Sequence, residues 1–173
     1  MIEPAQRHIC RIRELFIDTF YNMDYMYYYD ASGWYVPEIT TNEMCNHQFA
    51  IVDKDGEVVG FIHYFLDFTA KAVHDFGMIS FKKSTCFGID LLKIIDNIFN
   101  KYNMNKIVFR CLDGNPALRH YYKFIDTYGG KVVGTLRKNK MLSDGELHDE
   151  IMFEIFKKDY NAHKHYRKVV KEE

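Results

Sequence analysis

Cysteine is sparse and scattered in this chain. Cys10, Cys45, Cys86 and Cys111 are its four cysteines, they lie far apart, and no C-x-x-C pair occurs. That spacing favours free thiols in a reducing cytoplasm over a disulfide frame or a zinc site. An excess of either charge is also missing. Lys and Arg number 23 against 24 Asp and Glu, a formal net charge of -1. Such a balance gives no reason to expect nucleic acid or an anionic membrane as a partner. No apolar run approaches the length of a membrane span, and Met1 leads into Ile2-Glu3-Pro4 rather than a secretory signal. A cytoplasmic location is the expectation. Internal repeats and linker-like stretches are absent too, as is the G-x-x-x-x-G-K-[ST] loop of nucleotide-binding proteins.

What is present is enough apolar material for a core. Of 173 residues, 47% are hydrophobic and 27% charged, which fits one soluble domain. The domain is expected over residues 1–158. Asp159 to Glu173 is charged and poor in large aliphatics, so it reads as a frayed helix or a disordered tail. His163 and His165 in that tail are solvated rather than metal ligands on this reading, and no metal site is expected.

A short extended start, Ile2 to Ala5, precedes helical spacing from Gln6 to Tyr21. Tyr21 to Tyr35 carries six tyrosines and Trp34 among Asp24, Asp30 and Gly33, and reads as a short helix plus a turn at Ala31-Ser32-Gly33. A second helical piece is expected over Pro37–Asn46. Phe49 to Val52 and Glu57 to Asp67 form a hairpin about Asp53-Lys54-Asp55-Gly56. Ala72 to Phe81 adds a third strand. A helix follows Gly88 to about Tyr102, then a buried strand spans Lys106 to Leu112. Pro116 sits in the first turn of a helix that reaches Thr127, where Gly129-Gly130 ends it. Lys131–Lys138 and Glu146–Phe156 are the last strands. The fold class is α/β (α+β), with a single mixed, mostly antiparallel sheet flanked by helices.

The richest stretch is FGMISFKKSTCFGIDLLKIIDNIF, from Phe76 to Phe99. An apolar strand ends in a loop of two lysines, a serine and a threonine, which leads through Gly88 into a helix. The first N–H groups of a helix have no partner inside it, and the macrodipole favours negative charge there. Strand, small-residue loop and helix start together make a place for a phosphate or pyrophosphate.

In this order and spacing the motifs resemble the GCN5-related N-acetyltransferase (GNAT) family over roughly Ile2 to Phe156. Ile2-x-Pro4-Ala5 with Ile12-x-Glu14-Leu15 resembles its opening. Glu57-Val58-Val59-Gly60-Phe61 resembles its third strand, and Asn115 with Tyr122 its fourth helix. Gly129 to Gly134 and Asp149 to Glu154 resemble the closing strands. The phosphate loop departs from the family pattern, with Lys83 at the Arg/Gln position, Cys86 at the first glycine, and only Gly88 kept. Loss of that glycine restricts positive φ there.

The resemblance implies an acyltransferase with acetyl-CoA as donor cosubstrate and a small-molecule or peptide amine as acceptor. It implies a pyrophosphate on the amides of Lys83, Ser84, Thr85, Cys86, Phe87, Gly88 and Ile89. The pantetheine arm would follow Met78, Ile79 and Ser80, into a gap where this strand splays from residues 107–112, with Asn115 helping to hold it. Amine attack on a thioester needs loss of the amine proton, a donor to the carbonyl oxygen and a proton for the thiolate. Tyr122 is the implied acid, with adjacent Tyr121 in its place if the helix register shifts, and the amide near Met78 is the oxygen's donor. The strand position where many members carry a Glu base falls on Ala72. His74 and Asp75 are the base candidates, with His63 a third. No cysteine is invoked as nucleophile. Aromatics and acids of Tyr21–Tyr35 are candidates to bind a cationic amine, although core packing accounts for most of them. A non-catalytic module of the same fold, binding CoA weakly or not at all, is the competing reading. The last strands and the aromatic surface suit a homodimer.

Overall fold

Central strands must be apolar on both faces if helices cover both sides of a sheet. The run Val58 to Asp67 meets that demand, with all but three of its residues buried. The computed structural model describes residues 1–20, 22–28 and 36–163. Its strands are β1 (Ile2–Pro4), β2 (Asn46–Val52), β3 (Val58–Asp67), β4 (Ala72–Ser80), β5 (Lys106–Leu112), β6 (Lys131–Met141) and β7 (Leu147–Phe156). The helices are α1 (Ile9–Phe20), α2 (Thr85–Asp96) and α3 (Leu118–Tyr128), with a last helical segment over 157–163. Short 3₁₀ turns cover Ala5–His8 and Met23–Tyr28, and α2 runs on into a π turn at Asn97–Lys101. The sheet order is β1-β2-β3-β4-β5-β7-β6, and only β4 and β5 run parallel.

Two cores follow from this layering. On one face α1 lays Ile12 and Phe16 against Ala50, Phe61 and Ile79. On the other, Ile94, Ile95, Ile98 and Phe99 pack on Ile62, Tyr64, Phe109 and Phe153. Their i, i+1, i+4, i+5 spacing is the inner stripe of one helix. Tyr160, from 157–163, is buried beside Phe99 and Tyr128, each ring 5.1 Å away. The expected division at residue 158 therefore falls inside a helical segment. No helix among the described residues is long and apolar enough to cross a membrane.

The structure corrects two expectations. The helix expected over Pro37–Asn46 does not form, and β2 instead begins at Asn46. Gln48 explains this: its Oε1 accepts from the Thr40 amide at 2.9 Å and its Nε2 donates to the Glu38 carbonyl at 2.9 Å. The Gln48 amide donates to Asn42 Oδ1 at 2.7 Å. Side chains thus satisfy backbone groups that a helix would otherwise have paired. Second, α2 begins at Thr85, before Gly88, because Ser84 caps it: Ser84 Oγ accepts from the Cys86 amide at 3.3 Å.

One irregularity shapes everything downstream. His63 faces Gly77 and Phe65 faces His74, so β4 carries an extra residue opposite Tyr64. Asp75 takes it up with φ of 50°. Such a bulge bends its strand. β4 and β5 pair only at Ala72 with Lys106 and Val73 with Ile107, and beyond those two positions the ladder stops.

Candidate active site

Where the ladder stops, the sheet forks. A cavity of about 770 Å³ lies beneath the fork, between α2 and α3. A smaller one of about 220 Å³ lies at its far end, against β4, β5, β7 and the Met23–Tyr28 turn. Phe76, Met78 and Tyr121 line both, so the two chambers join at these side chains.

The larger chamber has an apolar floor that includes Met78, Leu92, Phe109 and Phe124, and its rim is the first turn of α2. Thr85, Phe87, Gly88 and Ile89 line it there. A Cβ built on Gly88 would meet nothing within 4 Å, so that backbone is open to approach. Cys86 is not among the residues with positive φ, so this turn does not need the glycine that the family pattern would place there. Phe87 fixes the start of the helix by resting in a notch at Gly60. A Cβ on Gly60 would lie 2.4 Å from the Phe87 ring and 2.8 Å from the Ile79 carbonyl.

The smaller chamber is polar. Arg110 Nη1 donates to Glu150 Oε2 at 3.2 Å, and Asn139 Nδ2 donates to the same oxygen at 2.9 Å. Asn115 Oδ1 accepts from the Ala117 amide at 2.8 Å, which leaves its NH₂ as the group facing a ligand could use. Lys140 and Tyr27 complete the described wall. Burial pushes the Cys111 thiol up to about 12, with Asp113 and Glu150 adding to the effect.

The sequence-derived residues separate against this geometry. Met78 and Ser80 line the larger chamber, whereas Ile79 turns its side chain into the core under α1. Lys83, Ser84 and Cys86 flank the rim without lining it. Asn115 belongs to the smaller chamber. Tyr122 lines neither: it is 39% exposed and stands edge-on to Phe153 at 5.5 Å. The stripe of α3 that faces the cavity runs Ala117, Tyr121, Phe124, Tyr128, and Tyr122 lies a helical step off it. Tyr121 occupies the junction, and burial holds its phenol un-ionised by raising its pKa. His63, His74 and Asp75 also line neither chamber, and of the three His63 alone packs on a residue that does, Gly77. His74 is half exposed with Nε2 4.0 Å from Asp67 Oδ2, and Asp75 is exposed on the bulge. Among the described residues, no group of three or more His, Cys, Asp or Glu gathers as a metal site.

Of the aromatic segment, Tyr25 donates to the Phe81 carbonyl at 3.1 Å and Tyr28 packs on Phe16 at 5.4 Å. Tyr21, Asp30, the turn Ala31-Ser32-Gly33, Trp34, Tyr35, Lys164 and His165 lie outside the described residues. Arg110, Cys111, Lys140 and Glu150 were not candidates from the sequence, since only the β5–β7 and β6–β7 registers bring them together.

The same fold recurs in solved proteins. The spermidine N-acetyltransferase from Vibrio cholerae in complex with CoA and spermine matches with a TM-score of 0.72, covering 92% of this chain and 96% of that one at 15% identity. This chain has the GNAT fold. A second GNAT structure, spermidine/spermine N-acetyltransferase SpeG from Vibrio cholerae in complex with manganese ions, gives a TM-score of 0.60 at 17% identity, covering 70% and 71% of the two chains. A third, the dodecameric spermidine N-acetyltransferase from the same organism in an intermediate state, gives 0.59 at 17% identity over 68% of each chain. No protein-family model matches the sequence, and no curated protein does so.

Proposed function

We propose that this protein is an N-acetyltransferase that moves the acetyl group of acetyl-CoA directly to a primary amine. The observation that carries the reading is the meeting of an apolar chamber and a polar chamber at Tyr121, inside a fork of the sheet. The apolar chamber suits a long, thin donor, with its diphosphate on the amides at the start of α2. Its thioester reaches the fork beside Met78, whose amide is the donor to the carbonyl oxygen. The amine arrives from the polar chamber. Attack forms the C–N bond, the C–S bond breaks, and Tyr121 gives the departing sulfur a proton that it regains from solvent. Asn115 offers its NH₂ to the pantetheine arm.

The open helix start at Gly88 supports this reading over a module that binds no CoA. It is tested by a thermal-shift series with acetyl-CoA, CoA and ATP, followed by CoA thiol release over a panel of amines. Acetyl-CoA and CoA are expected to raise the melting temperature, since a ligand that binds only the folded state stabilises it. Thiol release is expected with at least one amine. Binding with no turnover over the whole panel would leave the module reading in place.

Transfer goes straight from thioester to amine. Cys111 is the one cysteine lining the smaller chamber, and its raised pKa keeps the thiolate scarce near neutrality. Intact-protein mass spectrometry after acetyl-CoA alone is expected to show no acetyl adduct, and Cys111→Ala is expected to keep most activity. A stoichiometric adduct lost in Cys111→Ala would overturn direct transfer. Edge strand β6 is exposed along nearly all its length and leaves Val132, Val133 and Leu136 uncovered, which supports assembly with a second copy.

A further inference from the structure

His63 stands on β3 directly opposite Gly77 of β4. A Cβ built on Gly77 would fall 2.0 Å from Nε2 and 2.7 Å from Cε1 of the imidazole. The ring therefore lies against bare backbone, and any side chain at 77 would evict it. Gly77 and Met78 both form the wall of the smaller chamber. The imidazole is thus set one residue from the amide that faces the thioester oxygen.

Its hydrogen bonding separates it from a packing histidine. His47 is also buried and ring-stacked, on Tyr64 at 5.2 Å, and its Nε2 lies 3.4 Å from the Met44 carbonyl. His63 stacks on Phe61 at 5.8 Å, yet among the described residues no hydrogen bond fixes either of its nitrogens. The ring does not itself line the smaller chamber, but only the bare backbone of Gly77, part of that chamber's wall, lies between them. An imidazole so placed, with no bond committing its nitrogens, can take a proton from that side through a water.

We propose that His63 is the general base that removes the proton from the acceptor's ammonium group. This rests on the acyl-transfer reading. Burial lowers the His63 pKa, and Asp75 on β4, the one charge among the described residues that bears on it, pulls the other way. The ring is neutral at pH 7 as a result and able to accept. Gln48, opposite it on β2, carries no charge. The proton balance is simple. R–NH₃⁺ gives one proton to His63, directly or through a water, and His63 passes it to solvent. The amine then attacks the thioester carbon. As the adduct collapses, nitrogen sheds its second proton and sulfur takes one from Tyr121. The products are the amide, CoA thiol and one free proton.

The experiment is the pH profile of kcat/KM for wild type and His63→Gln with the best amine of the panel, plus the acetyl-CoA thermal shift of each. His63→Gln is expected to lose about 100-fold at pH 7 with its acetyl-CoA shift unchanged. The deficit is expected to narrow toward pH 10, because an alkyl amine with a pKa of about 10.4 loses its own proton there. Wild-type kcat/KM is expected to fall as pH drops below about 6.5, through the lowered pKa of His63, because an imidazolium accepts no proton. Full activity of His63→Gln at pH 7 overturns the assignment and leaves acyl transfer standing. A deficit equal at every pH marks a packing role and overturns it as well. If wild type releases no CoA with any amine, acyl transfer itself fails and the base falls with it. Should His63→Gln not fold, the wild-type profile decides: an acid limb below pH 6.5 sustains the assignment, and a profile set by amine ionisation alone removes it.

Discussion

Tyr121→Phe lowers kcat by about 10²–10³-fold, the range for loss of a positioned acid, while Tyr122→Phe stays within about twofold of wild type. The two residues are neighbours in sequence and differ only in helical phase. Tyr121 lines both chambers, and Tyr122 sits outside them. Each substitution removes one oxygen and keeps the ring, so packing against Phe153 survives in both. Steady-state CoA release separates the pair, and the acetyl-CoA thermal shift checks that donor binding is intact. A slow Tyr122→Phe beside a normal Tyr121→Phe would reverse the assignment of the acid.

Phe153→Ala removes about 3–5 kcal/mol of stability, the usual cost of emptying a buried phenylalanine site. Phe153 is fully buried on β7, between β5 and β6. Its ring stacks on Phe109 at 5.2 Å and 11°, and Tyr121 lies 6.1 Å away. Nothing nearby can collapse into the space without disturbing the sheet or α3. For a chain of this size the melting temperature falls by about 10 °C, and Phe153→Leu costs less than about 1.5 kcal/mol because most of the volume stays. Denaturant unfolding monitored by far-UV circular dichroism measures both. A loss under about 1 kcal/mol for Phe153→Ala would mean that the core repacks freely, against the tight interiors typical of proteins.

Much of the fold was legible because its signals are local. The turn Asp53 to Gly56 forms as expected, with Gly56 at φ of 83° and Asp53 accepting from the Asp55 and Glu57 amides. The strand and the loop from Phe76 onward are also where the sequence puts them, although the helix starts earlier, at Thr85, and Gly88 lies at the rim of the larger chamber. Other features depend on partners distant in the chain. Pro37 to Asn46 was expected to be helical, but Gln48 captures its backbone. Tyr121 and Tyr122 cannot be told apart until the phase of α3 is set by its packing. Arg110 and Glu150 are 40 residues apart and meet only through the β5–β7 register. His63 was visible as a residue, but its standing depends on the missing side chain at Gly77, which no periodicity reveals.

The extra residue at Asp75 has a reach beyond its own position. A sheet joined by two rungs at one end and open at the other is a pair of tongs, and the kink is what keeps its jaws apart. Shortening this strand by that single residue would let the rungs continue to the tip and zip the jaws shut. Every side chain that touches a substrate would still be present, in a molecule with no mouth.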